Sequence, residues 1–427
     1  MTPIDDHPQR YALMNELHAR PFPQLEQPCQ AVYVAVKQPQ DAHNRDRQAD
    51  LDHLVALLDR HGSTHPAPQA THYATPLGKV AFKWESHTEF VTYSAFSIGV
   101  SARAFDPHGA EVFPADWLAQ APGKRMAAVM VRVEAMPDDP QEVMQKLEDW
   151  FVPESLAASW VLDQAAVIAG DFQIDPAGQM RFAVFVRPGT GKRRIGRIVQ
   201  RLCEIETYRA MSMLGLGRAR DLGQRLNALD PQLADLVSAL TDNQRAAEAT
   251  LHELLAISSE LESLATRYSF RFGATGAYEA IVNERVEAMR ETRFEGRQTF
   301  GEFMRRRYDP AIRTVKSAEK RLEQMAERAE RAGELLSTRV DVERSAQNQK
   351  LLESMDRRAD MALRLQHTVE GLSVVAISYY AVNLAAYALM PVAEALHWPK
   401  SALVAALVPV VVLGVWALIR RIRKRMH

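Results

Sequence analysis

Two long apolar segments near the C-terminus constrain this chain more than any other feature. Leu372 to Met390 and Ala402 to Ile419 run for 19 and 18 residues without a charged side chain. A helix of roughly 20 apolar residues crosses the hydrocarbon core of a bilayer. Because the connector 391–401 is too short for a domain, the sequence predicts a transmembrane hairpin with spans at 372–390 and 402–419.

Basic residues flank both segments, and cationic loops stay in the cytoplasm. Lys400 is the basic residue of the connector, so both chain ends are expected to be cytoplasmic. The alternative is a buried hairpin of a soluble protein, which suits a tail of five basic residues within six less well. The flanking residues are Arg357, Arg358 and Arg364 before the first segment and Arg420, Arg421, Arg423, Lys424 and Arg425 after the second.

The composition of the remaining chain excludes several classes of protein. Over 427 residues the formal net charge is −1, so no global basic excess argues for nucleic acid. The N-terminus has no apolar core behind a basic start, which argues against a signal peptide. Cys29 and Cys203 have no paired spacing, so we expect two buried thiols and neither a disulfide framework nor a thiolate metal site.

Residues 1–195 have the pattern of a mixed α and β domain. Short β-rich runs alternate with Pro, Gly and Asp clusters, and two stretches have helical periodicity. We therefore expect one sheet with helices packed against it. The β-rich runs are Ala31 to Lys37, Lys79 to Phe96, Met126 to Val133 and Met180 to Arg187, and the helical stretches are Asp46 to Arg60 and Pro140 to Phe151.

Residues 196–370 switch to long helices with apolar seams at three-and-four spacing, typical of a coiled-coil-like stalk. Asp341 to Gln349 weakens the pattern, which leaves one continuous helix from about Pro310 into the membrane or two antiparallel helices turning near Ser345. The first is favoured because no Gly or Pro marks a turn. Ser269 to Gly276 is expected to break an earlier helix. The seam residues are Val315, Ala318, Leu322, Met325, Ala329, Ala332 and Leu336, and then Leu352, Met355, Ala359 and Ala362.

The predicted fold is thus an α+β cytoplasmic domain (1–195), a helical stalk region (196–370), a two-helix transmembrane hairpin (371–419) and a basic cytoplasmic tail (420–427).

Candidate binding residues lie in three parts of the first two regions. As one strand, Lys79 to Phe96 places His87 and Glu89, with Glu85, on one face, where they could share a metal ion or a proton, although a solvated strand face explains them as well.

His18 and Arg20 lie in the dense N-terminal motif LHARPFP. Arg20 could bind a phosphate or carboxylate, or pair with a structural carboxylate such as Glu89 or Glu206. Glu206 and Arg209 share a helix face and could form a local pair.

The loop Pro188 to Arg194 lacks the first Gly and the final Ser or Thr of a phosphate-binding loop, so it is interpreted as a basic strand-to-helix connection. No complete catalytic set is recognisable, so we expect no enzyme and no cofactor, with the possible exception of a divalent cation. The identity of any metal stays open.

Polar residues inside the first apolar segment share one stripe. Tyr380, Asn383 and Tyr387 lie on one helix face, and intramembrane polar groups normally face protein or water. The stripe could pack helices together or line a pore, and Glu394 in the connector would then lie near the mouth of that pore.

Several stretches together resemble a bacterial family of membrane-anchored proteins of unknown function. They are LHARPFP, HTEFVTYSAF, CEIETYRAMSMLGL, YSFRFGATGAY and TVEGLSVVAISYYAVNLAAY. This resemblance covers nearly the whole chain and implies a protein of the bacterial inner membrane, without an activity.

The architecture is also similar to CorA-type divalent-cation channels, which are pentamers with the first span lining the pore. The family's Gly-Met-Asn signature is missing, and Ala388 to Pro391 stands there instead. We therefore carry three hypotheses: an oligomeric cation conduit joined through stalk and first span; a membrane-tethered scaffold or sensor; and, least favoured, a hydrolase or metalloenzyme using His18, His87, Glu89 and Glu206. Lipid and further copies of the chain are the expected partners, and nucleic acid is not.

Overall fold

The structure is a computed structural model that describes residues 4–16, 21–39, 44–239, 246–395 and 399–426. The chain divides into two units. The first comprises Met1–Asn243 with His252–Ala332, and the second comprises Gln244–Leu251 with Gly333–His427.

Nine strands of the first unit form one mixed sheet in the order β2-β3-β4-β1-β5-β8-β7-β6-β9. The β5–β8 pair is parallel, and the other adjacent pairs are antiparallel. The strands are β1 (Cys29–Lys37), β2 (His72–Leu77), β3 (Val80–Ser86), β4 (Phe90–Ile98), β5 (Lys124–Ala135), β6 (Ala157–Val161), β7 (Ala166–Gly170), β8 (Met180–Val186) and β9 (Thr292–Arg293).

Helices precede the first strand, lie between later strands and follow the last strand along the chain. They are α1 (Arg10–Glu16), α2 (Arg47–Arg60), α3 (Ala115–Leu118), α4 (Pro140–Trp150), α5 (Lys192–Ala239), α6 (Ala247–Glu287), α7 (Phe300–Arg307), α8 (Asp309–Ala395) and α9 (Lys400–Met426). The predicted fold class, a mixed sheet domain followed by long helices and a C-terminal apolar helix, is confirmed.

Both faces of the sheet are covered, which explains why β1 is buried along its whole length and carries six consecutive apolar residues, Ala31 to Val36. In β1, Tyr33 points into a core shared with Ile198 and Leu202 of α5. Val34 points into the opposite core, which α2 and α4 close with residues such as Leu54. A strand buried on both faces loses the polar-apolar alternation of a half-exposed strand.

Helix α8 begins inside the first unit, where its apolar face is buried. Ile312 packs against Ile205 of α5 and Val282 of α6. We call the buried residues that follow the first seam: Val315, Leu322, Met325, Ala329, Ala332 and Leu336. The helix continues without a break, as the continuous-stalk alternative predicted, and every residue of 341–369 is exposed.

Two local predictions were wrong. Lys79 to Phe96 is not one strand but the hairpin β3–β4, so Glu85 lies in a strand while His87 and Glu89 lie in the turn. Ser269 to Gly276 does not break a helix but lies within α6. The burial of Phe272 and Thr275 on that helix offsets the low helix propensity of its two glycines.

The C-terminal helices agree with the membrane prediction in length and composition. Asp309–Val392 and Lys400–Ile422 each contain a segment long and apolar enough to cross a membrane. Residues 396–398 of the connector lie outside the described residues.

Candidate functional site

A partly enclosed cavity of about 230 Å³ lies between the sheet and helix α5. We call it the sheet cavity. Its walls combine aromatic rings with polar groups, a lining typical of small-ligand pockets. Prominent among its lining residues are Tyr33, His87, Phe90, Gln200, Cys203 and Tyr208.

Charged side chains around the sheet cavity are arranged in neutral pairs. Lys83 Nζ lies 3.1 Å from Glu85 Oε1, and Arg285 of α6 contacts Glu204 of α5. Gln200 Nε2 donates to Glu204 Oε1 at 2.7 Å, which fixes the orientation of its amide. The cavity therefore presents polar groups without a strong net charge.

Arg45 fixes the turn that carries His87 and so places His87 at the sheet cavity. The Arg45 guanidinium donates to His87 O at 2.6 Å and to Ser86 Oγ at 2.8 Å, and it pairs with Asp50 at 2.7 Å. The imidazole stacks on Phe90 with ring centroids 4.4 Å apart. Because Arg45 fixes the backbone of His87 and Phe90 packs against its imidazole, the ring stays at the edge of the cavity.

Glu89 lies in a separate buried cluster. It is 1% exposed and accepts hydrogen bonds from Arg271 and from the Tyr278 hydroxyl at 2.9 Å, both on α6, while Lys37 Nζ lies 3.7 Å away. Burial and the nearby Arg271 lower the pKa of Lys37, and Glu89 opposes that shift. This carboxylate ties α6 to the sheet.

Glu206 and Arg209 form the local pair that the sequence predicted. Arg209 Nη2 donates to Glu206 at 2.8 Å, and the guanidinium lies 6.0 Å from the centroid of the Phe172 ring. Burial raises the pKa of Glu206, against the opposing effect of Arg209.

The structure does not gather the predicted cytoplasmic residues into one centre. His87 faces the sheet cavity, and Glu89 and Glu206 each have their own cationic partner. Within the described residues no group of three or more His, Cys, Asp or Glu side chains could hold a metal ion. Burial raises the pKa of the Cys203 thiol, which argues against a thiolate nucleophile there.

The N-terminal motif is described only in part. His18 and Arg20 lie outside the described residues, so their predicted contact with Glu89 or Glu206 stays a prediction. The residues that follow them reach the sheet cavity: Phe22 lines it, and Lys83 Nζ donates to Pro21 O at 3.4 Å.

The polar stripe of the first apolar segment is exposed. Tyr380 and Tyr387 are 68% and 73% exposed, and Asn383 is exposed as well. The buried residues of this part of α8 are Ser378, Val382 and Ala386, which lie on another face of the helix. The side chain of Glu394 lies outside the described residues.

The stripe continues a longer pattern along α8. Residues of the stripe and of the exposed stalk before it form one series in which successive members are alternately three and four residues apart. This is the spacing of a heptad seam. None of its members is buried. We call this set the second seam: Leu352, Met355, Ala359, Ala362, Gln366, Val369, Ser373, Ala376, Tyr380, Asn383, Tyr387 and Met390.

Sequence reasoning missed Arg271 and Tyr278 as partners of Glu89. They lie seven residues apart on α6, two turns along one face, and both reach the same carboxylate. That spacing was visible in YSFRFGATGAY, but the expected helix break at Ser269 to Gly276 concealed it.

The comparison with known families agrees with the resemblance noted from the sequence. A family model described as protein of unknown function (DUF3422) matches residues 5–426. The chain therefore belongs to this family of unknown function. No curated protein matches the chain.

Proposed function

We propose that this protein is a non-enzymatic, homo-oligomeric membrane protein whose first apolar segment lines a path for divalent cations. The observation that carries the proposal is the polar stripe of Tyr380, Asn383 and Tyr387, exposed on one face of a segment that contains no charged side chain. Polar groups in hydrocarbon are costly unless they meet protein or water. A bundle of several copies around an axis would surround the stripe with protein and with water.

The second seam supports association of several copies. Copies inserted with the same topology carry Tyr380 and Asn383 at the same depth, so a parallel, in-register bundle brings like polar layers together. The seam begins at Leu352 and Met355, where apolar side chains are exposed outside the predicted span. Burying them between copies would provide the affinity that the polar layers lack.

The number of copies in the bundle decides whether the polar stripe packs helices together or lines a path for cations. In two- or three-stranded coiled coils the seam residues fill the centre, whereas a larger ring leaves a lumen that they line. Asn383 would then offer amide oxygens and Tyr380 and Tyr387 hydroxyl oxygens, which suit a hard cation that keeps part of its water shell. The choice of a divalent cation rests only on the resemblance of the architecture predicted from the sequence to that of CorA-type channels.

Basic flanks support an inner-membrane hairpin with both ends in the cytoplasm. The guanidinium of Arg420 lies 5.0 Å from the centroid of the Trp416 ring, a pairing typical of a membrane interface. We propose that this interface is the cytoplasmic one.

The proposal is tested by cation flux into vesicles reconstituted with the full chain. Asn383→Leu should lower divalent-cation flux at least about tenfold, because each copy loses its amide from the path. Asn383→Gln, which keeps an amide, should restore part of the flux. Tyr379→Leu is the matched control, because it removes a polar group of the same segment that lies outside the seam.

Two results would contradict the conduit. Wild-type vesicles that pass no divalent cation would exclude it directly. Flux in Asn383→Leu equal to that of the wild type would mean that cations do not cross at this stripe.

A second candidate function is a membrane-tethered sensor or scaffold without transport. The sheet cavity favours it, since its mixed lining could hold a small uncharged ligand in the cytoplasmic domain. Stoichiometry distinguishes the two: a ring of about five copies leaves room for a path, whereas a monomer or dimer does not.

A further inference from the structure

A second, wider cavity opens where β8 passes into α5. Its volume is about 750 Å³, and it lies in the first unit, between the start of α5 and the segment that follows α6. We call it the arginine cavity because cationic side chains dominate its lining. They are Lys192, Arg193, Arg194, Arg197, Arg201 and Arg290.

Few carboxylates balance these charges. Among the described residues, Glu26 pairs with Lys192, and Asp163 pairs with both Arg194 at 3.4 Å and Arg290 at 2.8 Å. Two carboxylates thus pair with three of the six cations, Lys192, Arg194 and Arg290. The cavity carries a local positive surplus in a chain whose formal net charge is −1.

Three of the arginines crowd one face of α5. Arg193, Arg197 and Arg201 are four residues apart, a spacing at which like charges repel and weaken a helix. Burial and then the neighbouring cations, with Arg197 first, lower the pKa of Arg201. Arg193 and Arg197 have no hydrogen-bond or ion-pair partner in the described part of the chain. Stability alone gives no reason for this arrangement.

Backbone carbonyls hold Arg194 and Arg201 in place. Arg194 Nη2 donates to Leu162 O at 3.1 Å, and Arg201 Nη1 donates to Ala288 O at 2.9 Å. Leu162, Asp163 and Arg290 all have positive φ, between 49° and 58°, which costs energy in residues other than glycine. Strained backbone is thus maintained at the residues that position this cluster, a pattern associated with binding sites.

We propose that the arginine cavity binds a phosphate-bearing ligand, with Arg193 and Arg197 as its principal contacts. Guanidinium groups bind phosphate oxygens through paired, charge-assisted hydrogen bonds. The positive end of α5 adds to the attraction. Because several cations converge, a ligand with two or more phosphates fits better than one with a single phosphate. The site is independent of the proposed conduit.

The test is calorimetric titration of the detergent-purified full chain with inorganic pyrophosphate and with ATP. The wild type should bind at least one of them, with an affinity that falls as salt rises. The double variant Arg193→Ala, Arg197→Ala should bind at least about tenfold more weakly, because two charge-assisted contacts are lost. The matched control is Arg218→Ala, Arg220→Ala, which removes two exposed arginines from the same helix and should bind as the wild type does.

A structural role of the two arginines would give a different result. Without ligand, the Arg193, Arg197 double variant should melt no lower than the wild type, because repulsion is relieved. A fall in its melting temperature, with unchanged affinity per folded molecule, would overturn the proposal.

The phosphate group could belong to a free molecule or to a lipid headgroup. A parallel set of nanodiscs, with phosphatidylglycerol or with phosphatidylcholine, separates these sources. Stabilisation by phosphatidylglycerol that the double variant alone loses, without binding of pyrophosphate or ATP, would assign the site to a headgroup. The proposal is overturned if the wild type neither binds pyrophosphate or ATP nor is stabilised by phosphatidylglycerol. It is also overturned if the Arg193, Arg197 double variant and the Arg218, Arg220 double variant respond equally.

Discussion

Helix α8 carries two seams of heptad spacing, and within the described residues only the first is buried. Leu322 in the first seam is 5% exposed, whereas Leu352 in the second is 66% exposed. The first seam lies among helices that also exchange ion pairs, such as Lys316 with Glu279 of α6 at 2.6 Å. The same kind of sequence pattern therefore has two outcomes within one helix.

The difference teaches what a heptad pattern can and cannot predict. Spacing fixes which side chains share a face, because it follows from helix geometry. It does not fix what covers that face. The sequence predicted packing along Val315 to Leu336 and along Leu352 to Ala362, and burial separates the run already covered from the run that a further copy of the chain could cover.

The largest expected effect comes from placing a charge in each seam. Leu322→Asp should lower the free energy of unfolding by about 4 kcal/mol, because it buries a carboxylate and removes packed methyl groups. Leu352→Asp should change the unfolding free energy of the single chain by less than about 0.5 kcal/mol, as exposed substitutions do, and should instead weaken association of copies through the second seam. Denaturant unfolding of both detergent-purified variants measures the contrast, and similar losses for both would abolish the distinction between the seams.

A similar contrast should hold for ion pairs. Glu89→Ala should cost about 3 kcal/mol, because it leaves the buried Lys37 and the partly buried Arg271 without their carboxylate. Asp360→Ala breaks the exposed pair with Arg364 on the second half of α8 and should cost less than about 0.5 kcal/mol. If Glu89→Ala has the same melting temperature as the wild type in a thermal scan, the carboxylate does not hold α6 to the sheet.

The sequence predicted local features of the fold and site well and distant ones poorly. The β-rich apolar run in β1 and the pair of Glu206 with Arg209, three residues apart, followed from the local sequence. The partners of Glu89 did not, because Arg271 and Tyr278 are 182 and 189 residues away. The β3–β4 turn was also missed, since Ser86 to Glu89 contains no Gly, Pro or Asn to mark it.

The smallest effect concerns a half-exposed ion-pair cluster between α5 and α8. Hydrogen bonds from Arg328 and Arg321 lower the pKa of Asp230. A lowered carboxyl pKa stabilises the fold above the ordinary value near 4, and the contribution disappears as the pH falls through the lowered value.

Asp230→Asn should therefore cost about 0.5 kcal/mol at pH 7, because the pair is partly screened by solvent. The deficit relative to the wild type should shrink as the pH falls below about 4. Urea unfolding at several pH values measures it. A deficit independent of pH would mean that the charge of Asp230 is not the cause.

Disulfide cross-linking between copies tests the second seam most directly. Cys29 and Cys203 are buried, so a cysteine introduced on exposed α8 positions reports its own neighbours. Met355→Cys and Asn383→Cys should both give cross-linked dimers of the full chain in membranes. Glu353→Cys and Ala388→Cys, exposed on other faces of the helix, should not. Equal cross-linking at all four positions, or none at Met355→Cys and Asn383→Cys, would contradict a continuous seam between copies.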